Sequence, residues 1–248
     1  MRHALAVVTA CAALSTACDG SFAGFDCSRS DDRQATIDTS GASEIRVIAE
    51  AGSLKITGHD DRGEVRASGT ACASSRSRLE AIELLTRRDG DVVVIETVTA
   101  RGRLDLNLEV PDALPLVVED GSGSVLISDV EALSLTDRSG SIAIEEVAGN
   151  VWVTDGSGSL DIEEVGGTVT VEEDGSGSIK VETVDGDVIV TEDGSGSIRI
   201  VDVAGDVLIE EDGSGSIRVE EVRGDFAVLR DGSGGIRSDD IGGHVSVP

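Results

Sequence analysis

The feature that most constrains the fold is a short phrase repeated seven times in the second half of the chain. The sequence Asp-Gly-Ser-Gly-Ser occurs five times, and two variants of it complete the series. The aspartates that open the seven copies are Asp120, Asp137, Asp155, Asp174, Asp193, Asp212 and Asp231. They are 17, 18, 19, 19, 19 and 19 residues apart. A fixed period of this length indicates stacked coils of one repeating unit.

Aliphatic residues follow the same period and define five columns. In one repeat they are Ile198, Ile200, Val203, Val207 and Ile209. The seven repeats give 35 such positions, and Ser238 alone among them is polar. Two i, i+2 pairs in each repeat predict two short strands that each turn one face inward, and β-branched residues favour strands over helices. We therefore predict an all-β fold, a parallel β-solenoid (β-helix) with about 19 residues per coil.

The residues before the repeats contain strand-like segments of irregular spacing. A short helix is predicted at Ser74–Glu80, where Ser74 and Ser75 are placed to cap it, and a hairpin-like pair of strands is predicted around the turn at Asp89. A solenoid needs a cap, since its first regular coil would otherwise expose a strand edge and apolar core. We assign residues 24–118 to an irregular β-rich cap with the first coils, and residues 119–248 to the solenoid.

The N-terminus has the pattern of an export signal. Arg2 precedes an apolar run, Ala4–Leu14, that is too short to span a bilayer. Two processing schemes fit. Either Cys18 becomes the lipid-modified first residue of a lipoprotein, so that residues 1–17 are the signal peptide, or signal peptidase cuts after Ala17 or after Ala23. Both place the mature protein in the periplasm, in the outer membrane or at the cell surface of a bacterium.

The cysteine count predicts a disulfide. Lipidation of Cys18, or cleavage after Ala23, leaves Cys27 and Cys72 as the free thiols. An even number of thiols in an oxidising compartment favours their pairing. We predict a Cys27–Cys72 disulfide, and two unpaired buried thiols are the alternative.

Charge excludes several classes of partner. The formal net charge is −28, and residues 119–248 carry 30 acidic and 7 basic side chains, a net of −23. Such a surface repels DNA, RNA and anionic lipid headgroups. We therefore expect no nucleic-acid partner, and membrane attachment only through a lipid on Cys18.

Several short segments, in this order along the chain, resemble the bacterial putative-adhesin family of secreted and envelope proteins with β-strand repeats. They are Glu44–Val47, Gly52–Gly58, the turn Arg88–Asp91, Glu109–Pro111 and the later Gly-Ser-Ile and Gly-Asp-Val phrases. The likeness runs from about Gln34 to the C-terminus. The resemblance implies a right-handed solenoid outside the cytoplasm, with adhesion as the supposed role. It brings no catalytic residues with it.

Signals of catalysis are nearly absent, and we predict no catalytic or cofactor-binding residues. His59 and His244 are far apart in sequence, and no serine lies in a nucleophile elbow between a strand and a helix. The Gly-Ser-Gly turns lack the further glycine and the following helix of a dinucleotide loop. A β-helix enzyme acting on sugars is a third reading, which a concave group of carboxylates would favour.

The aspartates that open the repeats are the candidate metal ligands. If coils stack in register, Asp120, Asp155, Asp174, Asp193, Asp212 and Asp231 form a column about 4.8 Å apart, and calcium would relieve the repulsion between them. The favoured interpretation is simpler: each aspartate accepts a hydrogen bond from the backbone N–H two residues on. Calcium is the cofactor that the alternative interpretation implies, and the favoured interpretation implies no cofactor.

Two outward rows follow from the same register. Lys180, Arg199, Arg218 and Arg237 form a basic row flanked by acids, which indicates ion pairing across strands. On the second strand of the repeats, Trp152, Ile189, Leu208 and Ala227 form an apolar stripe. Exposed apolar rows mark partner surfaces, although ordinary β-propensity also explains this one.

Together these patterns predict a non-catalytic envelope β-solenoid that acts as an adhesin or as a structural and interaction scaffold. Its partner would be an unidentified envelope or surface ligand, either a protein or a glycan, and self-association is a further use of the stripe. The alternative is a scaffold that needs calcium on its acidic column.

Overall fold

The computed structural model describes residues 27–60 and 63–248, which are almost entirely β-strand. The first part of the chain contains β1 (Arg29–Asp38), β2 (Glu44–Ala49), β3 (Leu54–His59), β4 (Glu64–Ala73), α1 (Arg76–Glu80), β5 (Glu83–Asp89), β6 (Val92–Val98) and β7 (Arg103–Pro111). The repeats contain β8 (Leu116–Asp120), β9 (Gly123–Val130), β10 (Leu133–Asp137), β11 (Gly140–Val147), β12 (Val151–Asp155), β13 (Gly158–Val165), β14 (Val169–Asp174), β15 (Gly177–Val184), β16 (Val188–Asp193), β17 (Gly196–Val203), β18 (Val207–Asp212), β19 (Gly215–Val222), β20 (Phe226–Asp231), β21 (Gly234–Ile241) and β22 (Val245–Ser246). No helix in the described residues is long and apolar enough to cross a membrane.

The repeats stack into two parallel sheets, as the period predicts. Odd-numbered strands from β9 to β21 lie side by side in the first sheet, and even-numbered strands from β8 to β22 form the second. Equivalent residues pair directly, for example Ile179 with Ile198 in the first sheet and Asp193 with Asp212 in the second. The prediction of a parallel β-solenoid is confirmed.

The core lies between the two sheets and is almost wholly aliphatic. Ile200, Val203 and Ile209 are fully buried, and Phe226 is the one aromatic residue among the buried apolar side chains of the described chain. In the final repeat Val245 and Val247 are exposed, because no described coil packs beyond β22 at the end of the sheet. Each interior coil is therefore stabilised by a neighbour on either side.

The growth of the period from 17 to 19 residues has a local cause. The second corner of the coil lengthens from two residues, 131–132, to three, 148–150. The second-sheet strand then lengthens from five residues in β12 to six in β14, and the register shifts after Val153. This extra residue forms a bulge that returns Asp174 to the position of Asp155 in the column.

The first corner of each coil depends on glycine. In the repeats, the glycine that opens each first-sheet strand has φ between +140° and +155°, a region that side chains resist. A Cβ built on Gly196 would overlap the carbonyl oxygen of Gly177 in the preceding coil. The repeated glycine is therefore required by the distance between coils as well as by its dihedral angles.

The N-terminal part caps the solenoid, although its coils do not stack in chain order. The coil β2–β3 lies between the later coils β6–β7 and β8–β9. Strands β1 and β4 add antiparallel to the edge of the first sheet, and β5 adds antiparallel to β6 in the second. The predicted hairpin is this β5–β6 pair. The predicted helix is α1, whose N-cap is Ser75.

Cys27 and Cys72 form the predicted disulfide, with their Cα atoms 5.4 Å apart. The bond ties the start of β1 to the end of β4. Residues 1–26, including the predicted signal peptide and Cys18, lie outside the described residues.

Removing this disulfide is expected to lower the free energy of unfolding by about 3 kcal/mol, since the bond closes a loop in the unfolded chain. Urea unfolding of the Cys27→Ala/Cys72→Ala variant measures the loss. Dithiothreitol should bring the wild-type midpoint down to that of the variant and leave the variant unchanged. Equal midpoints for the oxidised wild type and the variant would show that the bond adds no stability.

Candidate functional site

Trp152 stands on the outer face of the second sheet. It lies in the middle of β12 between Val151 and Val153, which are buried on the opposite face of the strand. The alternation of a strand therefore turns the indole toward solvent, where its side chain is 49% exposed. In the parallel register its neighbours are Ser134 on β10 and Thr170 on β14.

A shallow groove of about 350 Å³ lies against Trp152. Eleven residues of β8, β10, β12, β14 and their adjoining corners line it, and none of them is charged. Asn150 at the groove accepts a hydrogen bond from the backbone N–H of Thr168 at 2.9 Å, which fixes the orientation of its amide. We call the surface formed by the groove and the outward side chains around it the Trp152 face. The lining of the groove is uncharged on a chain of net charge −28, and Glu119 and Glu173, which pair with Thr136 and Thr154, lie at the edge of this face.

The apolar stripe continues from this face along the sheet. Thr170 pairs with Ile189, Ile189 with Leu208, and Leu208 with Ala227. Ile189, Leu208 and Ala227 are half-buried, since neighbouring side chains in the row cover part of each one. The four residues predicted to form a partner surface therefore do lie in one outward row, with Trp152 as its most exposed member.

The aspartate column has a different environment from the one the sequence predicted. Of the seven aspartates that open the repeats, Asp231 in the final repeat is half-buried. The other six are at most 5% exposed, and they are Asp120, Asp137, Asp155, Asp174, Asp193 and Asp212. Asp155 makes the expected turn bond, accepting from the N–H of Ser157 at 3.1 Å. In the other five buried aspartates no hydrogen bond of normal geometry forms, although backbone N–H groups of the turn lie close enough to offset part of the rise in pKa that burial causes in Asp120, Asp137, Asp174 and Asp212. The aspartates that were expected to cap their own turns therefore also form a buried stack.

Burial controls the ionisation of this stack. Desolvation raises the pKa of Asp120 and of Asp193 to about 7, with further contributions from the carboxyl groups of neighbouring coils. Desolvation and the charges of Asp174 and Asp137 raise the pKa of Asp155 to about 6. Burial also raises the pKa of Asp137, Asp174 and Asp212. A partly protonated stack, in which neighbours share protons, satisfies oxygens that the protein otherwise leaves unpaired.

The sequence did contain a signal for this burial. Val151, Val153 and Asp155 alternate with outward residues, so the aspartate continues the inward face of its strand. In the longer coils the extra acidic residue hides this alternation, and the bulge restores it. Within the described residues, no group of three or more His, Cys, Asp or Glu side chains has the geometry to hold a metal ion.

The aspartates at the opposite corner are exposed, and each one accepts a hydrogen bond from the next coil. Asp187 accepts a hydrogen bond from the backbone N–H of Asp206 at 2.8 Å, and Asp206 accepts in turn from Asp225 at 2.7 Å. Asp225 accepts from His244, which continues the same corner as an exposed residue. Each carboxylate thus caps the next coil. Aspartates at this corner therefore accept hydrogen bonds from the next coil, whereas most carboxylate oxygens of the buried column do not.

The basic row forms ion pairs, as predicted from its flanking acids. Lys180 contacts Asp161 and Glu182 at 3.2 Å and also contacts Glu163, and these carboxylates raise its pKa. Arg199 pairs with Glu220 at 3.0 Å. These contacts lie at the surface, so each one contributes little to stability.

A cleft of about 910 Å³ lies at the junction of the cap and the repeats. Its lining includes His59, Arg66 and five acids, and the acids are Asp38, Asp60, Glu64, Asp112 and Asp129. A hydrogen bond between Asp60 and Asp112 raises the pKa of Asp60. Two carboxyl groups in direct contact are closer than either separation used by glycosidases, which is about 5 Å or more. The lining also offers no Trp, Tyr or Phe on which a sugar ring could stack.

No protein-family model and no curated protein matches the sequence. Solved structures similar to this chain include a putative cell adhesion protein from Clostridium sporogenes, at 11% identity and a TM-score of 0.37 over 88% of this chain and 99% of that one. A putative adhesin from Bacteroides fragilis is 12% identical, with a TM-score of 0.35 over 88% of this chain and 97% of that one. A putative lipid binding protein from Parabacteroides distasonis is 14% identical, with a TM-score of 0.42 over 88% of this chain and 96% of that one. The adhesin descriptions match the resemblance seen in the sequence, at low identity. At these scores, no ligand is inferred from them.

Proposed function

We propose that this protein is a non-catalytic adhesive scaffold of the bacterial cell envelope. The observation that carries the proposal is the groove at Trp152 with its apolar continuation, a row of uncharged outward side chains on a strongly acidic solenoid. A stiff stack of coils presents such a row in a fixed geometry, so little conformational entropy is lost when a partner binds. The acidic remainder of the surface repels nucleic acid and anionic lipid, which disfavours these classes of partner.

The proposal includes export. The apolar leader Ala4–Leu14 and the small residues before Cys18 support processing outside the cytoplasm, with either a lipid anchor or a soluble mature protein. The Cys27–Cys72 disulfide is consistent with an oxidising compartment.

The substitution Leu208→Glu tests the adhesive row. We expect it to reduce surface attachment or self-association about tenfold or more while the protein remains folded, because it places a charge in the centre of an apolar contact. Attachment is measured with beads that carry the purified protein. Sedimentation velocity measures self-association, and circular dichroism checks that the variant is folded.

Leu126→Glu is the matched control, since Leu126 is an equally half-buried, outward-facing leucine on the first sheet. It should leave attachment and self-association unchanged. If Leu208→Glu behaves like the wild type in both assays, the row is not the contact surface.

One observation favours a second candidate, a calcium-dependent scaffold. Apart from Oδ1 of Asp155, the carboxylate oxygens of the buried column make no hydrogen bond of normal geometry, and a cation would supply them with a partner. Protons provide the same compensation without the six to eight oxygen ligands that calcium takes, so we place this candidate second.

A further inference from the structure

The Trp152 face combines an exposed aromatic ring with a surround of hydroxyl groups. Ser134 and Thr170 flank Trp152 along the ladder, one coil to either side. Thr154 follows Trp152 by two residues on the same outer face, and Thr136 pairs with Thr154. Adjacent coils are about 4.8 Å apart, so the hydroxyl groups of Ser134 and Thr170 flank the indole, and those of Thr136 and Thr154 lie farther along the strands on one side of it. Each hydroxyl can donate and accept a hydrogen bond.

This combination selects for a particular ligand chemistry. An indole offers a flat apolar surface with an N–H at its edge, and ligand sites typically join such a surface to a few polar groups that fix orientation. An anionic ligand group would lose its hydration here without finding an opposite charge, and Glu119 and Glu173 at the edge would repel it. A purely apolar ligand would strip water from the hydroxyl groups and from Asn150 without replacing their hydrogen bonds.

We propose that the Trp152 face binds a neutral glycan, with one pyranose ring stacked on Trp152. The C–H groups on one side of a pyranose form an apolar face, and its equatorial hydroxyls lie around the rim, where Ser134 and Thr170 meet them. Acidic glycans are excluded by the net charge of −28. This inference rests on the proposed adhesive function and names the class of ligand for the same surface.

The chain provides its own probe for this site, because it contains one tryptophan and no tyrosine. Intrinsic fluorescence therefore reports on Trp152 alone. We would titrate the protein separately with hexasaccharides of β-1,4-linked glucose, α-linked mannose and N-acetylglucosamine, with a heparin hexasaccharide as the charged comparison. A saturable blue shift with at least one neutral sugar, and none with heparin, is the expected result.

Variants test whether the signal arises from stacking. Calorimetry should show at least a tenfold loss of affinity in Trp152→Ala and partial retention in Trp152→Phe, which keeps a flat ring. Leu126→Glu on the first sheet should bind like the wild type. Equal affinity of Trp152→Ala and the wild type would overturn the proposal, as would the lack of a response to all three neutral sugars at millimolar concentration.

The glycan inference and the adhesive function can fail separately. If no sugar binds but Trp152→Ala or Leu208→Glu still abolishes attachment, the glycan inference is overturned and the adhesive row remains. If the fluorescence shifts with protein concentration in the absence of sugar, a second copy of the chain covers the face, and the glycan inference is again overturned. If neither Trp152→Ala nor Leu208→Glu changes attachment or self-association and no sugar binds, both the adhesive function and the glycan inference are overturned.

Discussion

Gly196→Ala is expected to destabilise the solenoid by about 4 kcal/mol or more, placing it among the most damaging single substitutions. Gly196 has φ +148°, where a side chain is strained, and the added methyl would overlap the carbonyl oxygen of Gly177. Neither strand can yield without breaking the hydrogen bonds between coils. Because the coils stabilise each other, the loss is expected to spread to neighbouring repeats.

Thermal unfolding followed by circular dichroism measures this effect. At roughly 2–4 °C per kcal/mol for a chain of this size, the melting temperature should fall by about 10 °C or more. Gly235→Ala is the matched control, because a Cβ at Gly235 has no atom within 4 Å and its φ is not in the strained range. It should melt like the wild type. Similar melting temperatures for Gly196→Ala and Gly235→Ala would contradict the close approach of the coils.

Asp193→Asn is expected to stabilise the protein at pH 8 by about 2 kcal/mol. Asp193 is buried between Asp174 and Asp212, and its pKa of about 7 means that the folded state must hold a desolvated negative charge above that pH. An amide of the same shape removes this charge and can donate to both neighbouring carboxylates. The melting temperature at pH 8 should rise by about 4–8 °C.

The wild type should show the corresponding pH dependence. The folded pKa values of about 6 and about 7 in the column exceed the value near 4 in an unfolded chain, so the folded state binds more protons between these limits. The stabilisation is complete below about pH 4 and is lost as the pH rises through 6 to 7. The lowered pKa values of Asp38 and Asp91, which accept hydrogen bonds from Ser40 and Ser43, act in the opposite direction at low pH. Stability should therefore be greatest near pH 4 and should fall from there to about pH 7.

Asp187→Asn separates burial from net charge. It removes one negative charge, as Asp193→Asn does, but at an exposed corner where Asn150 already plays the same role in an earlier coil. We expect it to leave the pH dependence unchanged, whereas Asp193→Asn should flatten the loss between pH 5 and 8. If both variants shift the curve equally, net charge rather than the buried column controls it. Melting at pH 8 in millimolar calcium tests the second candidate, which is excluded if the melting temperature does not rise.

Much of the fold could be predicted from the sequence because the same spacing of aliphatic residues and turn glycines occurs in every repeat. The five aliphatic columns predicted two inward faces, and the structure buries them in every interior coil. The helix cap at Ser75, the β5–β6 hairpin and the Cys27–Cys72 bond were also predictable, since each depends on residues with specific local chemistry. The insertion of β2–β3 between later coils was not, because stacking order depends on contacts distant in sequence.

The sequence by itself determined the period, the strand faces and the outward row that contains Trp152, because these follow from side-chain spacing along one strand. In the longer coils, where an extra acidic residue hides the alternation of the strand, only the tertiary structure decided which aspartates are buried. Asp187 and Asp193 are six residues apart in the same repeat, yet one accepts an amide hydrogen bond at an exposed corner and the other faces the interior. The physical reason is that burial and hydrogen-bond satisfaction depend on the position of the next coil, which no single repeat encodes.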